Sequence, residues 1–325
     1  MRVYVSVFVV VLLCLGGISW AENGVGGSNR TDENSRIAQL EQRVQYLEER
    51  LATILQMSDH FRYEEDELNG VSGPHVIIEG ANLHVQNGMD DPYSINGLGN
   101  LIVGSNVCGK GCDPDNRGGS HNLIVGTHHE YTQFGSFIAG NRNKAYGDYS
   151  SVSGGLDNMA NGIFASVSGG KKNTASGKYS SICGGGQNEA SGQYSSVSGG
   201  GHNTASGVSA SISGGRENGA SYYNASVSGG IYNEASGLFT SVSAGNSNIA
   251  SGDVSSVSGG LSNLASGSHS AVSGGAHNTA TGYCSNVSGG WTNDASGRGT
   301  SVSGGYNRSA ADIYDWVAGS LWQDY

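Results

Sequence analysis

The chain has 325 residues and a formal net charge of −11, with 55 glycines and only 3 prolines. An acidic chain without basic stripes argues against nucleic acid or anionic lipid as a partner. Abundant glycine with little proline suits the turns of a packed repeat better than a disordered tail.

Residues 1–21 read as a secretory signal. Arg2 supplies the basic start, Val3 to Leu15 the apolar core, and Ser19-Trp20-Ala21 small residues placed for cleavage before Glu22. Leu12-Leu13 before Cys14 is a poor lipobox, which argues against a lipid anchor; an uncleaved membrane anchor is the alternative, although the apolar run is short for a span. Residues 22–35 are polar and glycine-rich and read as a linker.

Residues 36–57 carry heptads. Ile37, Val44 and Leu51 take position a, and Leu40, Leu47 and Ile54 take position d. Ile or Val at a with Leu at d favours two strands. However, Arg36-Ile37-Ala38-Gln39-Leu40-Glu41 and Arg43-Val44-Gln45-Tyr46-Leu47-Glu48 both resemble the Arg-apolar-x-x-apolar-Glu pattern of trimeric coiled coils. The expectation is a homotrimer; an amphipathic helix folded onto its own chain is the alternative. Residues 58–74 are acidic and read as a second linker.

Residues 75–136 read as irregular lead-in coils of a solenoid. His75 to Val85 alternates like a strand. Asn100-Leu101-Ile102-Val103-Gly104 and Asn122-Leu123-Ile124-Val125-Gly126 echo each other, and Phe137-Ile138-Ala139-Gly140 continues the series. The insertion from Val107 to His121 holds Cys108 and Cys112, most simply a local disulfide in a secreted chain. A zinc site with two of His121, His128 and His129 is the sharper alternative. Asp113, Asp115 and Asn116 weakly suggest a calcium loop, but Arg117 stands where an oxygen ligand is needed.

From 137 to 311 the chain repeats every 15 residues. An aliphatic position begins at Phe137 and continues through Val152, Val167, Ile182, Val197, Ile212 and Val227 to Val317. Six residues after it comes an asparagine column: Asn158, Asn173, Asn188, Asn203, Asn218, Asn233, Asn248, Asn263, Asn278 and Asn293, after Asn143 and before Arg308. Eight residues after it, alanine recurs from Ala145 to Ala310. A fixed short period without insertions means that each repeat stacks on the last.

A typical copy, Ser-Val-Ser-Gly-Gly-x-x-Asn-x-Ala-Ser-Gly-x-Tyr-Ser, holds two short strands and two glycine turns. It predicts one narrow coil of a β-solenoid with a thin core. The asparagines read as a structural ladder, with stacked amides bonding each other and the turns; a ligand-binding amide row is the alternative. Cys183 and Cys284 lie about 6.7 coils apart, roughly 32 Å at the strand spacing, too far to pair within one rod. In residues 312–325, Ile313, Tyr314, Trp316, Leu321, Trp322 and Tyr325 read as a plug for the open last coil.

Across Phe137 to Ala310 the copies resemble the head repeats of trimeric autotransporter adhesins, the YadA-like family. Ser196-Val197-Ser198-Gly199-Gly200-Gly201-His202-Asn203-Thr204-Ala205-Ser206-Gly207 stands beside the family's Ser-Val-Ala-Ile-Gly-x-x-Ala-x-Ala-Ser-Gly, whose coil is usually one residue shorter. The resemblance covers a little over half the chain. It implies an all-β, left-handed parallel β-roll in three side-by-side chains, and a protein that binds host matrix or surfaces. Two features depart from the family: the coiled coil precedes the repeats, and no amphipathic strands for a C-terminal membrane barrel are seen. The expectation is therefore a secreted or otherwise surface-attached rod.

No nucleophile elbow, phosphate-binding loop or zinc-protease helix motif occurs. No catalytic residue, metal or cofactor is expected. Binding to matrix, carbohydrate or a cell surface would use outward variable positions such as Lys171 and Lys172, Arg216 and Glu217, Ile231 and Tyr232, or Trp291 and Thr292. The aromatics Phe164, Tyr179, Tyr194 and Phe239 suit chain contacts or sugar stacking. A second hypothesis is ice or crystal-surface binding by the Ser-x-Ser columns, for example Ser151 and Ser153, Ser166 and Ser168, Ser256 and Ser258; it resembles the Thr-x-Thr faces of insect solenoid antifreeze proteins, without the threonine methyl.

Overall fold

The computed structural model describes residues 27–109 and 112–319, so the signal reading of 1–21 lies outside the described residues. The chain divides between Leu83 and His84 into two compact units.

In the first unit, helix α1 runs from Gly27 to Ser58. Residues 27–35, read above as linker, are thus helical. Their Gly, Ser and Asn content is a weak signal, no proline interrupts them, and a helix nucleated in the heptads propagates at little cost. The heptad side chains Ile37, Leu40, Val44, Leu47, Leu51 and Ile54 are all 42–61% exposed. The second linker also holds structure: β1 (Phe61–Glu64) pairs antiparallel with β2 (His75–Ile78), Phe61 opposite Ile78 and Glu64 opposite His75. His75–Ile78 therefore belongs to a hairpin in this unit and is not a first solenoid coil. The carboxylates that follow Tyr63 mask the short strand pattern before them.

The second unit is a parallel β-solenoid with two sheets of 15 and 13 strands. The first sheet starts with β3 (Leu101–Val103), β4 (Leu123–Thr127) and β6 (Phe137–Asn141), then takes a Ser-Val type pair every 15 residues from Ser151–Val152 to Trp316–Val317. The second starts with β5 (Glu130–Tyr131) and β7 (Lys144–Ala145) and ends at Ser309–Ala310. Pairing is in register, Val167 beside Ile182 and Ala175 beside Ala190. A third line of single parallel bridges runs from Asn141–Leu156 to Trp291–Tyr306.

The interior is thin. Val152, Val167, Ile182, Val197, Ile212 and Val227 are at most 1% exposed, as is the alanine column from Ala145 to Ala310. One register assignment changes. Ile138, and not Phe137, pairs with Val152, and Ile138 is fully buried while Phe137 pairs with Ser151. The lead-in coils read Ile-x-Gly, whereas later coils read Val-Ser-Gly-Gly. The additional residue, Ser153 in the first of them, lengthens the step from 14 to 15 and shifts any strict back-count by one.

Backbone hydrogen bonds hold the coils together. Ser166, Ser168, Lys171, Thr174 and Ser176 donate forward to Ser180, Ile182, Gly185, Asn188 and Ala190, while Lys172 and Tyr179 donate backward to Leu156 and Ile163. The two backward donors have left-handed φ of 58° and 61°. Positive φ turns their N–H groups toward the preceding coil. The strain this imposes on non-glycine residues, on the order of 1–3 kcal/mol each, recurs in every regular coil.

A fourth interior column alternates Ser, Ala and Thr: Ala165, Ser180, Ser195, Ala210, Ala225 and Thr240 are all buried. The threonine hydroxyl donates to Gly237 O at 2.8 Å, but the hydroxyls of Ser180 and Ser195 have no partner. A buried hydroxyl without a partner is destabilising. Ser195→Ala is therefore expected to leave the melting temperature unchanged or raise it by about 1–3 °C; thermal melting followed by circular dichroism checks this.

The described part of the terminal segment continues the solenoid for one more strand, with Val317 packed against the core. Ile313, Tyr314 and Trp316 are about 70% exposed (68%, 72% and 68%). They project outward because they occupy the outward positions of a coil that keeps its register, and so do not plug its end; Leu321, Trp322 and Tyr325 lie outside the described residues.

Candidate functional site

Asn158, Asn173, Asn188, Asn203, Asn218, Asn233, Asn248, Asn263, Asn278 and Asn293 are each at most 1% exposed. The Asn203 side chain makes three bonds. Its Oδ1 accepts the Asn218 N–H at 3.0 Å, and its Nδ2 donates to Gly199 O and Gly215 O, both at 3.0 Å. The amides mainly serve backbone groups across two coils. Amide-to-amide bonding within the ten occurs at Asn248 to Asn233, 3.1 Å. With every polar atom engaged and no surface exposed, the column cannot serve as a ligand-binding amide row.

His129 occupies the same column before Asn143. Its Nδ1 accepts the Asn143 N–H at 3.3 Å, its Nε2 faces Val125 O at 3.0 Å, and its own N–H donates to Asn106 Oδ1 at 2.9 Å. An imidazole with an acceptor at Nδ1 and a donor at Nε2 reproduces an asparagine amide. Burial lowers its pKa, in keeping with that neutral form. The spacing of 14 residues to Asn143 hid this substitution in the sequence.

Cys108 and Cys112 form a disulfide, so neither offers a thiolate to zinc. Among the described residues no group of three or more His, Cys, Asp and Glu could hold a metal ion. Asp113 instead caps the short turn Pro114–Arg117, its Oδ1 accepting the Asp115 N–H at 3.1 Å. The inserted loop is fastened by Glu130, which is 1% exposed. Glu130 accepts hydrogen bonds from the Tyr146 hydroxyl, from Asp113 N–H at 3.2 Å and from Asn116 Nδ2 at 3.2 Å, and pairs with Lys144 Nζ at 3.2 Å. Arg117 adds a bond from Nε to His129 O, 3.0 Å. Sequence reading missed this clamp because Glu130 lies 14 to 17 positions from its partners and the set matches no motif.

Burial alone would raise the Glu130 carboxyl, but bonds from Tyr146, Asp113 and Lys144 outweigh it and hold the pKa below the usual carboxylate value. Burial, then Glu130 itself, raises the Tyr146 phenol. A carboxyl depressed in the folded state stabilises fully above its unfolded pKa of about 4.3, and this contribution is lost as pH falls through the folded value. Hydrogen-exchange protection of residues 113–119 is therefore expected to fall below about pH 4. Glu130→Gln should show the low protection already at pH 6; equal protection in the two proteins would contradict the clamp.

Outward positions form regular columns. Ser153 and Ser168 are exposed and Ser151 and Ser166 half-buried. Cys183 stands in the exposed serine column, and both Cys183 and Cys284 are free and exposed. At one corner, Tyr149, Phe164, Tyr179 and Tyr194 stack with centroids 5.1 Å apart and planes within 7°, and Phe134 meets Tyr149 edge-on. Phe239 stands apart, edge-on to Tyr223. In the stacked row each ring covers its neighbour's face, so the row presents edges and hydroxyls. That geometry disfavours sugar stacking on Phe164 and Tyr179; Tyr194 ends the row, with Ser209 next in the column, and is 54% exposed.

A shallow groove crosses the second sheet at Gly219, between Thr204 and Glu234, with His202, Glu217 and Tyr232 along one side. Of the residues named above as outward, Lys171 and Lys172, Arg216, Ile231 and Tyr232, and Trp291 are exposed, while Thr292 is half-buried and so is Glu217, which lies against Arg216 Nε at 3.1 Å.

These features define a class, a parallel β-solenoid of 15-residue coils preceded by a single long helix and a hairpin. Compared with family models and with curated proteins, the chain matches none.

Proposed function

We propose that the chain is a secreted or cell-surface structural and adhesive protein: a homotrimeric β-solenoid rod that binds host, matrix or carbohydrate surfaces through its outward variable positions, without catalysis. The observation that carries the reading is the heptad seam of α1, where six aliphatic side chains from Ile37 to Ile54 stand exposed in line. Such a seam is stable in water only against other helices. Three copies of one solenoid would turn weak contacts into avid retention. The repeat resemblance points the same way.

Immobilised matrix proteins and glycan surfaces test it. The wild-type chain should be retained, and Leu47→Lys, which places a charge in the seam, should lower retention at least tenfold. No retention by the wild type on any such surface would count against an adhesive role. The exposed Ser-x-Ser columns favour one alternative, an ice- or crystal-binding face. Thermal hysteresis by the wild-type chain, lost on Ser198→Tyr, would favour it instead.

A further inference from the structure

We infer that the groove at Gly219 is a carbohydrate site that takes one pyranose ring of a neutral or amino sugar. This deepens the adhesive reading and rests on it only for its biological setting. Gly219 lies in an outward column of the second sheet occupied elsewhere by Met159, Thr174, Glu189, Thr204, Glu234 and Ile249, and it is the one glycine from Lys144 to Ser309. The backbone does not require it. Its φ is not in the left-handed region, and an added Cβ would meet nothing closer than Glu234 Cγ at 3.8 Å. The corner glycines differ: at Gly177 a Cβ would lie 2.0 Å from Gly192 O. A strand glycine is destabilising against alanine and marks places where another group approaches closely.

The missing side chain opens a gap across three coils. Its outer walls, Thr204 and Glu234, stand two strand spacings apart, roughly 10 Å, which suits a single sugar ring with its hydroxyls. Tyr232 on the rim is 53% exposed and supplies an aromatic body with a polar tip. Thr204, Ser206 and Ser221 offer hydroxyls around the gap, and the Glu217 carboxylate is braced by Arg216. Carboxylates with hydroxyls and an aromatic ring match sugar hydroxyls as acceptors, donors and apolar surface. Glu217 is paired with Arg216, but the second carboxylate, Glu234, has no lysine or arginine among the residues lining the groove; it opposes uronic, sialic and sulfated sugars and tolerates an amine.

Saturation-transfer NMR on residues 22–325 tests the site, with methyl glucoside, methyl galactoside, methyl mannoside and glucosamine as probes and methyl glucuronide as the acidic control. At least one neutral or amino probe should receive saturation and the glucuronide none. Gly219→Thr, which installs the side chain found at Thr204 and Thr279, should keep the circular dichroism spectrum and weaken the signal at least tenfold. Tyr232→Ala should do the same. No transfer to any neutral or amino probe, or an undiminished signal in a folded Gly219→Thr, overturns the site. A trimer whose surface retention ignores Gly219→Thr overturns the groove and leaves the rod; a monomer with Gly219-dependent sugar binding supports the groove and overturns the rod.

Discussion

Gly200→Ala is expected to destabilise the solenoid by at least about 3 kcal/mol, while Gly199→Ala, one residue earlier, changes stability by less than about 0.5 kcal/mol. The contrast follows from the turn. Gly200 has a φ of +84°, and an added Cβ would fall 2.1 Å from Gly215 O and 2.9 Å from Gly215 N. Both are backbone atoms of the next coil, so relief requires the coils to separate and their hydrogen bonds to break. A Cβ on Gly199 meets nothing within 4 Å, and the same column already holds Ala244. In a stacked array the damage starts at the altered coil and its neighbours. Hydrogen exchange should show lost protection around residues 196–216 in Gly200→Ala, and the melting temperature should drop by about 6–12 °C. Equal behaviour of the two variants would contradict the turn geometry.

Asn203→Ala is expected to cost about 2–3 kcal/mol, because it leaves the buried Asn218 N–H and Gly199 O without their partner and takes from Gly215 O one of its two donors, the other being the Gly201 N–H. Asn203→Asp distinguishes hydrogen bonding from shape. The carboxylate matches the amide in size but cannot donate, and it would face two carbonyl oxygens in a site with no exposure to water. Chemical denaturation should place both variants well below the wild type. A tolerated Asn203→Asp would mean that the ladder is held by packing alone.

Much of the solenoid was legible because its period is short and its interior admits few residue types. Val or Ile, Asn and Ala recur at fixed offsets because each contacts its own kind in the next coil. What was hidden has physical reasons. One left-handed column carries Tyr149, Phe164, Tyr179 and Val254, which are not residues that announce positive φ; the stacking and the backward hydrogen bond override local preference. The shift from Phe137 to Ile138 follows from one residue added per coil, which counting backward cannot locate. His129 stood in for an amide at an irregular spacing. The Glu130 clamp joins separate coils through residues unremarkable in isolation. The hairpin from Phe61 to Ile78 spans a segment whose acidic residues read as linker. Gly219 was visible as a letter but gained meaning only once its column was known to tolerate side chains.

The mass in solution of residues 22–325, by light scattering after size exclusion, tests the central claim most directly. The two Arg-apolar-x-x-apolar-Glu copies in α1, Arg36–Glu41 and Arg43–Glu48, predict three times the chain mass, falling to one chain mass in Leu47→Lys with the circular dichroism of the solenoid retained. A wild-type protein that elutes as a stable monomer would contradict the trimeric rod, leave the Ser-x-Ser face uncovered, and make ice-growth inhibition the assay that matters.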